Sequence, residues 1–180
     1  MFSTQERLKR RTPEGGINRK TYLCLLVDEY YETSNIEAQQ QVTANLANFA
    51  YDPINWKFLR EAKAHELFYD IVQQATRSVV DRLLLLHAIV GLTNISLDPV
   101  IREFVERSNG FDRLKGLLEK YQTDCEIVCN ALTCYSFLLN DSSTVVLKQD
   151  KILLTLLERF KQSGNRRIIN LATILAADLH

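Results

Sequence analysis

The sequence predicts an all-α fold, a right-handed α-solenoid of three to four stacked helical repeats, and three observations carry that expectation. The ten residues Ala44-Asn-Leu-Ala-Asn-Phe-Ala-Tyr-Asp-Pro53 return in altered form as Val90-Gly-Leu-Thr-Asn-Ile-Ser-Leu-Asp-Pro99. Leu46 and Leu92 have later counterparts at Leu132 and Leu171, at intervals of 46, 40 and 39 residues. A period near 40 to 47 residues with only helical pattern between is that of solenoids with two or three helices per unit. Finally, 6 Gly and 3 Pro in 180 residues leave too little turn chemistry for an all-β chain of this size.

Residues 1–18 contain Thr12-Pro-Glu-Gly-Gly16 and a basic cluster without apolar periodicity, which predicts a flexible basic N-terminal tail ahead of a repeat domain over residues 19–180. Tyr22, Leu25, Leu26 and Tyr30 fall at helical spacing and predict a helix over 21–32. Ser34-Asn-Ile-Glu37 reads as a capping box for a helix ending near Tyr51. At Asp52-Pro53 the Asp can cap the next helix and Pro fits its first turn. The short helix that follows carries Trp56 and Leu59, and a second, over 65–75, turns Leu67, Phe68, Ile71 and Val72 inward.

The third helix of this unit is expected over 78–96. Its stretch Arg82-Leu-Leu-Leu-Leu-His-Ala-Ile-Val90 is apolar on nearly every side and so must be covered on both flanks. Asp98-Pro99 restarts the cycle, with helices over 100–106 and 111–121, then Thr123-Asp-Cys-Glu126 as a second capping box before a helix over 127–139. Helices over 142–148, 151–162 and, after Ser163-Gly-Asn165, 166–179 complete the last unit.

Net charge is zero, with 22 basic and 22 acidic residues, so no strong global field draws the chain to nucleic acid. The exception is local: Lys9, Arg10 and Arg11 form a candidate RNA-contacting or localisation tail, set against the plainer reading of a solvated basic run. A second basic group, Lys148, Lys151, Arg159, Lys161, Arg166 and Arg167, is diluted by Asp150 and Glu158. The longest apolar run, 83–92, is interrupted by His87 and falls short of the roughly 20 residues that span a bilayer. With no secretory signal in the polar N-terminus, an intracellular protein is expected.

Cys24, Cys125, Cys129 and Cys134 are expected to be free thiols on apolar helix faces. Cys125 and Cys129 lie four apart, yet no Cys-x-x-Cys and no nearby His completes a metal site. The three histidines, His65, His87 and His180, are not arranged in any catalytic motif, and neither a Gly-rich phosphate loop nor His-Glu-x-x-His occurs. No enzyme activity, metal or cofactor is expected.

The small-Leu-Ala-Asn-Phe-Ala pattern closing a long helix, followed by a tight turn and a short helix, resembles the armadillo repeat. The string Gln41-Val-Thr-Ala-Asn-Leu-Ala-Asn-Phe-Ala-Tyr-Asp-Pro53 is similar almost letter for letter to a stretch of the armadillo repeat-containing protein 7 family, with looser similarity from Tyr22 to Asn170-Leu-Ala172. The resemblance implies three helices per unit, the third lining a concave surface on which an asparagine often bonds the main chain of an extended partner. It further implies a nuclear, non-catalytic scaffold of the minor spliceosome. That family pairs with an RNA-recognition-motif protein, RNA-binding motif protein 48, at the capped 5′ end of a small nuclear RNA, in the splicing of minor-class introns. Two other readings stand beside it, a general armadillo adaptor for an unrelated protein and an RNA-binding solenoid. Against direct RNA recognition, no aromatic series for base stacking is apparent.

Candidate partner-binding residues follow from aligning the long helices: Gln41, Asn45, Asn48 and Tyr51 in the first, His87 and Asn94 in the second, Arg166 and Asn170 in the last. The same alignment sets Cys134 and Thr173 level with Asn48, Gly91 and Ala131 level with Asn45, and Ile127 level with Gln41. An amide side chain both donates and accepts, so Asn48 and Asn94 can pair with a peptide bond whatever its sequence. Alternatively each bonds local backbone and holds the turn before Asp-Pro. Armadillo receptors for nuclear-localisation signals place a tryptophan one turn earlier. Ala44 and Val90 stand there instead, and the one tryptophan, Trp56, is expected in the core.

Overall fold

The structure, a computed structural model, describes Thr4, Glu6 and residues 16–179. Lys9, Arg10, Arg11 and His180 lie outside the described residues. Eleven α-helices occur among those described: α1 Arg19–Glu32, α2 Ile36–Ala50, α3 Trp56–Glu61 behind a 3-10 turn Pro53–Asn55, α4 Ala64–Arg77, α5 Arg82–Ile95, α6 Pro99–Arg107, α7 Gly110–Lys120, α8 Cys125–Leu138, α9 Asp141–Leu147, α10 Lys151–Lys161 and α11 Arg166–Asp178. The sequence short, middle, long recurs as α3 to α5, α6 to α8 and α9 to α11. The pair α1 and α2 stands where the last two helices of a unit would.

Asx side chains punctuate every unit. Asp52 and Asp98 accept from the amides of Ile54 and Val100 to start the short helices, and Asn140 does so in a capping box with Ser143. Asn35, Asp81, Asp124 and Asn165 cap the four long helices. The expected capping boxes are therefore displaced by one residue. Asn35 rather than Ser34, and Asp124 rather than Thr123, is the N-cap, because the longer Asx side chain reaches two successive amides at once. Glu37 and Glu126 then sit one position too early to reach back. The long helix of the first unit also starts later than expected. Residues 78–81 are a connection in which Ser78 closes α4 and Asp81 opens α5.

The core forms where the long helices stack in order, α2 on α5, α5 on α8 and α8 on α11, with α4, α7 and α10 backing them. Central α5 is covered by α2, α4 and α8, as its all-round apolar sequence requires. Leu46, Leu92 and Leu132 are fully buried there. Gly91 permits the close approach of α4: a Cβ at this position would lie 2.6 Å and 2.7 Å from two carbons of the buried Phe68 ring. Trp56 is half-buried and donates its indole N–H to the Ala50 carbonyl at 2.8 Å, tying α3 to the end of α2.

Ion pairs and hydrogen bonds link one unit to the next. Arg60 pairs with the buried cap Asp98, Lys115 with Asp150 at 2.5 Å, and Asn140 donates to Glu106 at 2.6 Å. A second set joins the N-terminal ends of the long helices. Gln40 donates to Asp81 at 2.8 Å, Arg82 grips Asp124 with bonds of 2.6 and 3.1 Å, and Arg167 reaches Glu126 at 2.6 Å.

Candidate functional site

The sides of the long helices turned away from the core make one continuous face. On α2, Gln41 and Asn48 are exposed and Asn45 is half-buried, and the only bond among the three is a long one of 3.4 Å from Gln41 to Asn45. Tyr51, just past the end of α2, is exposed. On α5 the same side carries His87, Val90 and Asn94, all half-buried. On α11, counting from the cap Asn165, the same places fall to Leu171, Ile174 and Asp178, whereas Arg166, Asn170 and Thr173, all exposed, stand level with Cys125, Cys129 and Leu132 of α8 and so lie off this side, contrary to the expected alignment.

Asn48, Asn94 and Asn170 have no side-chain hydrogen-bond partner among the described residues. The alternative in which Asn48 and Asn94 brace the turns before Asp-Pro therefore does not describe this molecule. That bracing falls to other side chains. Asn55 donates to the Phe49 carbonyl at 2.9 Å and accepts from Arg19 at 3.2 Å, while Ser96 donates to the Leu92 carbonyl at 2.6 Å.

The third rung differs from the expected alignment. Ile127, Ala131 and Cys134 are fully buried, and Gly91 faces Phe68 rather than the open side. On α8 the open side carries Asn130, Thr133 and Phe137. Pairing Leu92 with Leu132 sets an interval of 40 residues, but the caps Asp81 and Asp124 stand 43 apart, so the residue level with Leu92 is the buried Tyr135. Cap spacing was the signal that could have located Asn130, Thr133 and Phe137. Cys134 instead contacts Ser96 at 3.5 Å in the α5–α8 interface, where burial pushes its thiol up to about 11, unreactive as a nucleophile.

Successive rungs are in register. The Thr93 hydroxyl shares its one proton between the Ile89 carbonyl at 2.7 Å and the main-chain carbonyl of Asn130 across the interface at 3.2 Å. Asn130 uses its amide N–H on the Glu126 carbonyl at 2.9 Å and keeps its side-chain oxygen for another partner. The face thus combines unpaired amide groups with half-buried apolar patches at Val90 and Phe137. Carboxylates are sparse on it: Glu126 at its edge is engaged by Arg167.

His65 is remote from this face, edge-on to Phe104 at 5.0 Å, and burial holds its imidazole below the ordinary histidine range. The four cysteines are free thiols, two of them buried. Among the described residues no group of three His, Cys, Asp or Glu side chains is placed to hold a metal ion, and no helix is long and apolar enough to cross a membrane.

Stacked three-helix units, Asx-capped throughout and closed by a continuous long-helix face, define an α-solenoid of the armadillo type. The structure superposes on a designed armadillo repeat protein with a TM-score of 0.72 at 18% identity, covering 88% of this chain and 64% of that one. A second engineered protein gives 0.72 at 19% identity, covering 87% of this chain and 37% of that one. In sequence the chain resembles armadillo repeat-containing protein 7 of Mus musculus, 42% identical over 64 residues, which is 36% of this chain. The matched stretch spans only 32% of that curated relative. No profile of a known protein family matches the chain.

Proposed function

We propose that this chain is a non-catalytic scaffold that holds an extended segment of a protein partner along its long-helix face. The observation that carries this reading is the pair of unbonded amide side chains, Asn48 and Asn94, at equivalent places on adjacent helices. Each has a donor and an acceptor to spare, which matches the main-chain N–H and C=O of an extended peptide.

The partner that the likeness to armadillo repeat-containing protein 7 suggests is an RNA-recognition-motif protein of the RNA-binding motif protein 48 type. With it comes a setting: the minor spliceosome, in the nucleus, at the capped 5′ end of a small nuclear RNA. In this reading the partner supplies the RNA chemistry and the solenoid supplies position.

The test is a pull-down of the purified full chain against that RNA-recognition-motif protein, with and without capped small nuclear RNA. The expected result is RNA-independent capture that weakens in the Asn48→Ala, Asn94→Ala double variant. Capture by the wild type and the double variant alike would move the interface off this face. Absence of capture under both conditions would reduce the relationship to shared fold.

A further inference from the structure

A furrow runs along α10, on the middle helices and apart from the long-helix face. Its first part, a cleft of about 490 Å³, has Lys151, Thr155 and Arg159 on one side and Glu119 and Gln122 on the other. The second, also about 490 Å³, shares Arg159 and Gln122 and continues to Lys120, Thr123 and Ser163. Lys151, Thr155 and Arg159 recur at every fourth residue, so they form one line about 12 Å long on α10.

The cations of this furrow are not neutralised. Arg159 donates to the uncharged Gln122 at 2.5 Å, and Lys120 donates to the carbonyls of Ala75 and Ser78 at 2.6 Å each. Among the described residues Lys151 forms no ion pair, although other lysines of this region do, Lys115 with Asp150 and Lys161 with Glu158. Glu119 is the single carboxylate in the two linings, against the three cations. Thr155 stands between Lys151 and Arg159 on α10, and hydroxyl and amide groups of Thr123, Ser163 and Gln122 line the same two clefts.

We infer that this furrow binds the phosphodiester backbone of a single-stranded nucleic acid. Two of the three cations, Lys151 and Arg159, are set about two helical turns apart along α10 and the third, Lys120, lines the continuation of the furrow, so the charges are spread rather than gathered at one point, which suits a linear polyanion better than a single phosphate. Interspersed donors serve phosphate oxygens, and Arg159 offers the planar fork that bonds two of them. The linings carry no exposed aromatic ring: Phe160 is buried, and the nearby half-buried Tyr121 lies under Lys120, 5.5 Å from its ring centroid. Bases therefore have no stacking platform, and the contact is independent of base sequence.

The experiment is fluorescence anisotropy of the full chain with a short fluorescein-labelled oligouridylate, between about 50 and 200 mM salt. Binding is expected to fall steeply with salt. The exposed double reversal Lys151→Glu, Arg159→Glu should lower affinity about tenfold or more and flatten the logarithmic salt slope by about 1.4, two contacts at roughly 0.7 each. Its helical circular dichroism should match the wild type. The Lys9→Ala, Arg10→Ala, Arg11→Ala variant should still respond to the furrow reversal. Three results would each overturn the inference: no binding at the lowest salt, equal binding by the furrow variant, or competition by polyglutamate as effective as by unlabelled RNA.

Discussion

Lys63 and Asn109 stand at the same point of successive repeats, each just before its unit's middle helix, and both adopt the left-handed backbone region, with φ of 60° and 59°. The turn needs that conformation to redirect a short helix into the next one. Asparagine tolerates it, whereas a lysine Cβ is strained there. Lys63→Gly is therefore expected to stabilise the protein by about 0.5 to 1 kcal/mol, strain relief outweighing glycine's extra chain entropy. Asn109→Ala should cost about 1 kcal/mol. Urea midpoints of the two variants check both signs, and a lower midpoint for Lys63→Gly would contradict the strain.

Gly91→Ala tests the packing of α4 on α5. The added methyl meets the flat of the Phe68 ring, which is fully buried and has nowhere to move. Overpacking of this kind costs about 1 to 3 kcal/mol. Phe68→Leu in the same chain should recover part of the loss, so thermal melts of the two single variants and the double variant should be non-additive. Strict additivity would place the strain elsewhere.

How far the fold is legible in sequence depends on which residues do the marking. Asp52-Pro53 and Asp98-Pro99 mark unit boundaries without ambiguity, because Asp before Pro both caps and starts a helix. Leu46 and Leu92, equally placed before them, are buried as their echo implies. No Asp-Pro follows α8, where Asn140-Asp141 opens the next helix, and a leucine-to-leucine match onto α8 passes over Tyr135, the aromatic residue that fills the equivalent core place and donates to the Phe111 carbonyl at 2.5 Å. A three-residue error in register turns a helix by about 300°, roughly 60° short of a full turn, enough to exchange buried Cys134 for partly open Phe137. Ties such as Gln40 to Asp81 and Arg82 to Asp124 depend on loop geometry and leave no periodic trace.

Three helix-capping carboxylates give stability a definite acid dependence. The Leu84 amide and the Gln40 side chain hold Asp81 below its ordinary range. Burial pushes Asp124 and Asp150 up, but Arg82 and Lys115 respectively, together with helix-start amides, outweigh it and leave both lowered. A lowered folded-state value means stability that is present above the unfolded aspartate value of about 3.9 and is lost as pH falls through the folded values. Asp70, raised chiefly by burial, acts in the opposite sense at one site. The melting temperature should thus drop on acidification below about pH 4. Asp124→Asn, which keeps a capping oxygen but no titrating charge, should show a smaller drop, and an unchanged acid profile would mean that Arg82 does not favour the ionised cap.

Asparagines that hold the fold and asparagines available to a partner should separate in paired measurements. Asn55 is buried and bonded on both sides, so Asn55→Ala removes its bonds to the Phe49 carbonyl and to Arg19 and should cost about 1 to 3 kcal/mol of stability. Asn48→Ala and Asn94→Ala remove side chains that bond nothing described, and each should change stability by no more than about 0.5 kcal/mol. In binding the order should reverse. Each face substitution is expected to weaken the partner complex by about 1 kcal/mol, roughly fivefold in Kd, as for a lost hydrogen bond to an extended segment. Urea denaturation of the free chain and calorimetric titration with the partner give the two axes. If Asn48→Ala and Asn94→Ala destabilise the free chain as much as Asn55→Ala does, the long-helix face is structural and the scaffold reading loses its central residues.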